Sequence, residues 1–520
     1  MEPPLTSYDT VKYPSYTHPQ THPARLAVIG ALSGLEPAPA TRCRVLELGC
    51  GNASNLAPMA WSLPESQFVG LDLASQPIQQ GLDMIRDLGL ANIRLVQGDV
   101  MSVDSQWGEF DYIIAHGLYS WVPVATREHI LEICRLALAP HGLAFISYNA
   151  FPGGHLRQML GEMMRFHVRG FEAAPERVRQ AMALARFLAE AHDGDDEYQL
   201  WMKSEWQAVL NHEEGHLYHD ELAEVNQPFY FTQFIQAASA HRLQYLAEAD
   251  YFEMFDSGFS QATRDTLAGL AHNRILREQY LDFLKCRRFR QTLLCRGDRS
   301  LSREPDASRI SGWTVSSMVR CEDEECDLRP GVRRTYKTPR NARCETDFSL
   351  GKAALGVLGA IWPQPLPFEE LFAQSAQALS RTGLAGEMDQ RARERLCGFL
   401  LSLYGAGVVE LRAAPPPGVW TAGPKPAANP VARWQIQRGN FVTTQLHFPV
   451  QVEDEIGCGL LQWLDGTLDR RELLEKLWLL LKSKNSLRIP GGNEAAARRQ
   501  LQLDLEANLS KLAKLGLLVA

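Results

Sequence analysis

The stretch from Cys43 to Trp61, CRVLELGCGNASNLAPMAW, contains an apolar run, two glycines and then a run with helical character. The run VLEL has the length and composition of a buried strand. Gly49 and Gly51 follow it, and glycines at a strand-to-helix turn let the backbone approach a ligand closely at a helix N-terminus. Glu47 adds a carboxylate just before the turn. The pattern predicts a ligand-binding turn at the carboxyl edge of a sheet.

Short strand-like runs alternate with helical runs from residue 43 to residue 150, which predicts a parallel sheet with helices on both faces. The predicted helices span roughly residues 55–63, 76–89 and 126–138. The predicted strands are 44–48, 67–71, 93–97, 112–115 and 144–147.

Carboxylates stand at the ends of successive predicted strands. Asp72 ends FVGLDL, about 20 residues beyond the glycines, where a carboxylate accepts both hydroxyls of a ribose. Asp99 in QGDV ends the third strand and is placed to accept a hydrogen bond from the amino group of an adenine. A dinucleotide-binding dehydrogenase is the first alternative, but its fingerprint needs a glycine where this chain has Ser54.

The set Glu47-x-Gly49-x-Gly51, Asp72, Asp99 and FDYII resembles the class I S-adenosylmethionine-dependent methyltransferases, with Ala53 at the usual third glycine. The resemblance implies a Rossmann-like α/β fold and S-adenosyl-L-methionine as the cofactor. We expect the N-terminal lead-in to close over that cofactor. The predicted cofactor-binding residues are Tyr13, Gln20, His22, Glu47, Gly49, Cys50, Gly51, Asn55, Asp72, Leu73, Asp99, Val100 and His116.

Five further stretches resemble one branch of that superfamily, the rickettsial-type outer-membrane-protein lysine methyltransferases and their bacterial homologues. They are YPSYTHPQTHPARLA, HGLYSWVP, SYNAFPGGHLRQML, HDELAEVNQPFYFTQF and RRFRQTLL. Residues that follow the fourth and fifth strands lie beside the cofactor in a sheet of this order. An aromatic rim there suits a lysine ammonium. The predicted catalytic residues are His116, Tyr119, Trp121, Tyr148 and Asn149.

The rest of the chain contains an internal similarity between ALGVLGAIWPQPLPFEEL and GCGLLQWLDGTLDRRELLEKL, each followed by a further helix and a short strand. This order predicts a winged-helix-like unit that occurs twice. The predicted parts are the lead-in at 1–42, the cofactor-binding domain at 43–154, a helical middle domain, regulatory or substrate-binding, at 155–300, a first winged-helix-like unit with an irregular lead-in at 301–411, a Pro- and Ala-rich linker at 412–430 and a second unit at 431–520.

Composition limits the partners. The net charge of −8 argues against nucleic acid, and no apolar run is long enough for a membrane span. The ten cysteines lack paired spacing, and the start lacks a signal peptide, so we expect a cytoplasmic protein with reduced thiols. The predicted partner is a lysine-containing polypeptide, of which a surface protein before export is one candidate.

Several other functions compete with this one. His212-Glu213-Glu214-Gly215-His216 has the spacing of a zinc-protease motif, but Gly215 weakens the helix that such a motif needs, and we expect no metal. The basic run Lys285–Arg296 is typical of a solvated helix face, and the alternative is contact with a polypeptide substrate or an acidic domain edge. The winged-helix-like units suggest DNA binding as an alternative function, although their last helices lack a basic stripe. A small-molecule methyltransferase and a methyltransferase-fold scaffold stay open as alternatives to a protein-lysine N-methyltransferase.

Overall fold

A computed structural model describes residues 6–302, 304–323, 326–384, 388–484 and 493–520. Its centre is a seven-stranded sheet of order β3-β2-β1-β4-β5-β7-β6. Strands β1 to β5 run parallel, and β7 is antiparallel to both of its neighbours. This sheet confirms the predicted fold class. Its strands are β1 Arg44–Leu48, β2 Gln67–Asp72, β3 Ile93–Gln97, β4 Phe110–Ala115, β5 Leu138–Asn149, β6 Leu243–Glu248 and β7 Phe289–Arg296.

Five helices belong to the part of the chain that ends with β5. They are α1 Ser7–Thr10, α2 Pro23–Leu32, α3 Leu56–Ser62, α4 Ser75–Leu88 and α5 Val124–Ala137. Helices α3 and α4 contact each other and pack on β2 and β3, while α5 packs on β4 and β5. Strands β1, β4 and β5 are buried along most of their length, as parallel strands covered on both faces are.

A long insertion separates β5 from β6. Its helices are α6 Gly154–Val168, α7 Ala174–Ala191, α8 Glu197–Leu210, α9 Glu214–His216 and α10 Phe231–Ala240. The first three pack around Met164, Ala181 and Trp206 in a core separate from that of the sheet. We call residues 154–230 the insert.

The range 155–300, predicted as a helical domain, is only partly so, because it also supplies β6 and β7. Helices α11 Gln261–Leu270 and α12 Arg274–Lys285 connect these two strands. The basic run predicted as a helix face is mostly β7, which lies between β5 and β6 with Leu293 and Leu294 fully buried. The sheet therefore continues past the boundary at residue 154.

The next part, up to residue 412, shares one continuous core with the sheet. Its strands are β8 Thr314–Ser316, β9 Arg320–Cys321, β10 Arg334–Lys337, β11 Arg343–Thr346, β12 Leu366–Pro367 and β13 Glu410–Arg412, and its helices are α13 Ser349–Ile361, α14 Phe368–Arg381 and α15 Gln390–Gly405. Strands β12, β8 and β13 form one small sheet beside the three helices, which is a winged-helix-like arrangement.

The C-terminal unit, residues 419–520, has a core of its own. It contains α16 Pro430–Ile436, β14 Phe441–Thr443, β15 Pro449–Gln451, α17 Glu455–Trp463, α18 Arg470–Ser483 and α19 Glu494–Lys514. Single bridges join Ala427 to Asp465 and Ala428 to Leu518, so the strand and helix order of the first unit recurs. The predicted linker is not a free tether, since its second half packs on this unit and Val419 donates to the Leu518 carbonyl at 3.2 Å.

No helix within the described ranges has both the length and the apolar character needed to cross a bilayer.

Candidate active site

The glycine turn after β1 forms one wall of a cavity of about 1100 Å³. Gly49, Gly51 and Ala53 adopt the left-handed conformation, with φ of 75°, 53° and 58°. Only glycine adopts it without a steric cost, so Ala53 carries a small strain at the usual third-glycine position. The backbone N–H of Gly49 donates to the Leu71 carbonyl at 2.8 Å, and that of Gly51 donates to Oδ2 of Asp72 at 2.8 Å. The turn thus folds over the end of β2 and presents bare backbone to the cavity.

Glu47 lies under this turn and is only 3% exposed. Its Oε1 accepts a hydrogen bond from Nδ2 of Asn55 at 2.8 Å, whereas its Oε2 is buried without a partner among the described residues. Burial raises the pKa of Glu47 to about 8. Cys50 and Asn55 line the cavity beside it. An unpaired buried carboxylate oxygen at a cavity wall fits a cationic ligand group such as the cofactor's ammonium.

The ends of β2 and β3 supply the other predicted cofactor ligands. Asp72 accepts from Gly51 and, through Oδ1, from the backbone of Ala74 at 2.9 Å, and burial raises the pKa of Asp72. Asp99 accepts from the backbone N–H of Met101 at 2.9 Å and is exposed at the cavity wall. Leu73 and Val100 line the cavity beside these carboxylates. Two carboxylates with apolar side chains next to them fit the ribose hydroxyls and the adenine of a nucleoside.

The N-terminal segment, residues 6–22, also lines the cavity, but two of its predicted ligands do not. Tyr13 lies at the cavity and points its hydroxyl at Oδ1 of Asp220, 3.5 Å away. Gln20 instead donates to Oδ2 of Asp250 at 3.3 Å. His22 accepts from the backbone of Ala24 at 3.1 Å, so it caps α2. Both side chains make structural hydrogen bonds, and neither lines the cavity, contrary to the expectation for cofactor ligands.

Of the five predicted catalytic residues, the structure brings His116, Trp121 and Asn149 to the cavity. Tyr119 and Tyr148 are 2% and 1% exposed and lie in the core. Both rings pack against Phe234, with centroids 5.2 and 4.2 Å from it. Of the predicted aromatic residues only Trp121 lines the cavity. Phe289 and the N-terminal tyrosines Tyr8, Tyr13 and Tyr16 supply its other aromatic side chains among the described residues.

His116 contacts a second histidine that the sequence reasoning did not single out. Its ring centroid lies 3.7 Å from that of His18 in the N-terminal segment. Burial lowers the pKa of His18 to about 4, and burial together with the neighbouring His18 lowers the pKa of His116 well below its usual range. Both rings are thus neutral at pH 7, and Nδ1 of His116 is buried without a partner in the described part of the chain.

The insert supplies an acidic wall on the same cavity. We call Glu205, Asp220 and Glu221 the acidic wall. Glu221 is 2% exposed, and its Oε1 accepts from Nε of Arg157 at 2.8 Å, while its Oε2 is buried and unpaired among the described residues. Burial raises the pKa of Glu221, and Arg157 only partly offsets this effect. The motif HDEL, already singled out in the sequence, contains two of these acids, but only the fold turns them toward the cavity.

His212 lines the cavity next to the acidic wall. Its Nδ1 is 4.0 Å from Oε1 of Glu221 and makes no hydrogen bond within the described residues. Burial, with a smaller contribution from Arg157, lowers the pKa of His212. His216 also lines the cavity, but His219 donates to the Val11 carbonyl at 2.7 Å and stacks on Tyr8. Across the described ranges, no group of three or more His, Cys, Asp or Glu side chains is arranged to hold a metal ion.

Most arginines of the basic run are paired with acidic side chains of this chain, so they do not form the expected contact with a polypeptide. Arg290 is fully buried and pairs with Glu248, Glu278 and Asp282. Arg287 is also buried and bonds to Glu253. Only Arg288 reaches the cavity, where it pairs with Glu205 of the acidic wall.

Three family models match separate parts of the chain. A methyltransferase domain matches residues 45–142, and a predicted methyltransferase regulatory domain matches residues 213–296. The PKMT C-terminal winged helix domain matches residues 424–517.

Whole-chain similarities agree with these matches. One uncharacterized protein of Rickettsia prowazekii is 29% identical over 477 residues, which is 90% of this chain and 85% of that protein. A second is 36% identical over 233 residues, covering 45% of this chain and 93% of that protein. The structure of PKMT2 from Rickettsia typhi superposes with a TM-score of 0.86 at 26% identity, covering 98% of this chain and 100% of that one. The same protein in complex with AdoHcy gives a TM-score of 0.85. The chain therefore belongs to the class I S-adenosylmethionine-dependent methyltransferases that carry a regulatory domain and a PKMT-type C-terminal winged helix domain.

Proposed function

We propose that this methyltransferase transfers its methyl group to the ε-amine of lysine side chains in a protein. The observation that carries the proposal is the unpaired Oε2 of Glu221, which is buried in the acidic wall of the cavity that also contains the cofactor-binding carboxylates. A buried acceptor without a donor favours a cationic group of the acceptor substrate. A relative with a solved structure carries the name PKMT2.

The cavity has room for an acceptor group beside the cofactor. Its volume of about 1100 Å³ lies just above the roughly 300–1,000 Å³ typical of a pocket for one small ligand, and the cofactor would occupy part of it. Trp121 and Phe289 line it and suit the apolar stem of a lysine, by cation–π attraction for the ammonium and by apolar contact for the methylenes. The remaining volume thus suits a side chain that enters from a polypeptide.

When bound, the cofactor supplies an electrophilic methyl group on a sulfonium. The acceptor must therefore present a lone pair, and an ammonium has none. We propose that Glu221 holds the incoming ammonium at Oε2 and that Nδ1 of His212 takes one of its protons. His212 suits this task because its neutral form is favoured at pH 7. Nδ1 is buried, so the ring that gains a proton there gives up its Nε2 proton to water through the exposed part of the side chain, which is 36% exposed as a whole.

We also propose that the reaction takes place in the cytoplasm, on a protein before export. All ten cysteines are free thiols, as is usual in a reducing compartment.

The test is incubation of the purified protein with isotope-labelled cofactor and a bacterial lysate, followed by peptide mass spectrometry. We expect methyl groups on lysine side chains of proteins. Label that appears only in the small-molecule fraction would contradict the proposal and favour a small acceptor. Absence of label from both fractions, with AdoHcy binding intact, would favour a scaffold role.

A further inference from the structure

His447 of the C-terminal unit reaches the back wall of the cofactor site. It lies in the turn between β14 and β15, is 2% exposed and has a φ of 66°. Its Nε2 is 2.9 Å from Oδ1 of Asn55, the residue that holds Glu47. A side chain 392 positions away in sequence therefore touches the residue behind the glycine turn.

The hydrogen bonds of Asn55 determine which atom donates. Its Nδ2 donates to Oε1 of Glu47 at 2.8 Å and to the hydroxyl of Thr21 at 3.0 Å. Its Oδ1 is therefore the acceptor, for the backbone N–H of His18 at 3.0 Å and for His447. His447 must donate through Nε2, and this contact fixes the amide in the orientation that supports Glu47.

Several backbone hydrogen bonds hold the turn that carries His447. The His447 N–H donates to the Thr444 carbonyl at 2.9 Å, and Thr444 donates to the Phe448 carbonyl at 2.9 Å. Gln445 donates to the Gly516 carbonyl at 2.9 Å, which ties the turn to the end of α19. Arg412, which belongs to the preceding unit, donates a hydrogen bond to the Leu446 carbonyl. The position of His447 thus depends on the folded C-terminal unit.

We propose that His447 is a positioning residue for the cofactor and that the C-terminal unit is part of the cofactor site. Through Asn55 it fixes Oε1 of Glu47, which aims the unpaired Oε2 of Glu47 into the cavity. This role depends on the cofactor alone and is independent of which acceptor receives the methyl group.

The experiment measures the Kd for AdoHcy by calorimetry on full-length variants, with melting temperatures recorded alongside. His447→Asn suits the left-handed backbone, but its amide lies at the position of Nδ1 and does not reach Asn55. We expect about tenfold weaker AdoHcy binding in this variant, as loss of a buried hydrogen bond and of the alignment of Glu47 implies. His447→Gln returns an N–H near the position of Nε2 and should bind within about threefold of wild type.

Trp434→Phe is the matched control. Nε1 of Trp434 donates to Asp87 at 3.0 Å, so this variant also removes a hydrogen bond between the C-terminal unit and the sheet domain, but one that does not reach Glu47. We expect its AdoHcy affinity to equal that of wild type. A wild-type Kd in His447→Asn, or equal weakening in His447→Gln and His447→Asn, would overturn the proposal.

Steady-state kinetics give a second measurement. Glu47 would hold the ammonium of the cofactor, which does not react, so its loss of alignment removes binding common to the ground and transition states. We expect KM for the cofactor to rise in His447→Asn with kcat little changed. A fall in kcat with KM unchanged would contradict the positioning role.

Discussion

Asp9 accepts a hydrogen bond from the backbone N–H of Gln76 at 2.8 Å, in the first turn of α4 just beyond Asp72. Its Oδ1 also accepts from the hydroxyl of Ser75 at 3.1 Å. Asp9 thereby acts as an N-terminal cap supplied from the N-terminal segment and holds that segment beside the nucleoside end of the cavity. Burial favours a higher pKa for Asp9, but the bonds from Gln76 and Thr6 outweigh it and lower the pKa to about 2.

Replacing this cap should weaken cofactor binding. Asp9→Ala removes the acceptor, and loss of a cap costs about 1 kcal/mol, so we expect AdoHcy affinity to fall by about fivefold in calorimetry. Asp9→Asn keeps one acceptor oxygen and should bind nearly as well as wild type. Because the pKa is depressed, the contribution of Asp9 is complete above about pH 4 and is lost as the pH falls toward 2. Unchanged affinity in Asp9→Ala would show that the segment is held elsewhere.

Cofactor binding should release a proton from Glu47. With its pKa raised to about 8 by burial, the folded ligand-free protein holds a proton there that the unfolded chain loses above about pH 4. Glu47 therefore makes the ligand-free protein less stable as the pH rises from about 4 to 8. An ammonium at Oε2 ionises the group, so AdoHcy affinity should increase from about pH 6 to 8. Calorimetry in buffers of different ionisation enthalpy counts the proton, and the same count in Glu47→Gln would refute this assignment.

The acidic wall should contribute to binding of the acceptor substrate and not to binding of the cofactor. Glu221→Gln removes the charge that holds the lysine ammonium, and loss of a charged hydrogen bond implies a fall in kcat/KM of about 10- to 100-fold. Glu213→Gln is the matched control, because Glu213 lies on the same segment but bonds to Tyr16 instead of lining the cavity. Both variants should bind AdoHcy with wild-type Kd. In wild type the rate should rise with pH through the neutral to alkaline range, since the amine must lose its proton.

Arg290 should matter for stability and not for substrate recognition. Its removal leaves Glu248, Glu278 and Asp282 buried without their main cation, and breaking a buried pair costs about 3–5 kcal/mol. Arg290→Ala should therefore lower the melting temperature markedly in calorimetric scans. Arg86→Ala removes exposed pairs with Asp83 and Asp87 and should leave the melting temperature nearly unchanged, since solvent screens such pairs. Equal melting temperatures for the two variants would contradict the buried network.

The sheet as far as β5 was predictable because each of its strands is a separate apolar run followed by a helix of regular period. The two added strands were not, since a long insertion separates β5 from β6. The charge of Arg290 on β7 is balanced by acids of β6 and α12 that only the fold brings around it. Gly215 shows the same limit. A Cβ there would lie 2.2 Å from the Lys12 carbonyl, so the glycine lets the N-terminal segment pass, a contact that local spacing does not reveal.

The site shows what can and cannot be predicted from the position of a residue at the end of a strand. Carboxylates and glycines in register identified the cofactor wall, because parallel strands end at one edge of the sheet. Tyr148 and Asn149 are neighbours on β5, yet successive side chains point to opposite faces, so Asn149 lines the cavity and Tyr148 enters the core. Position at a strand end predicts proximity to the cavity but not which face a side chain occupies.

The contact between His447 and Asn55 also sets an order of events during synthesis. The ribosome completes every residue of the 45–142 methyltransferase match long before it reaches position 447. Until then, the amide of Asn55 lacks one of its donors. A chain that ends between residues 142 and 447 keeps every residue of the methyltransferase match while missing part of the back wall. The presence of the methyltransferase motifs is therefore not sufficient to predict the cofactor affinity of a shortened copy of this protein.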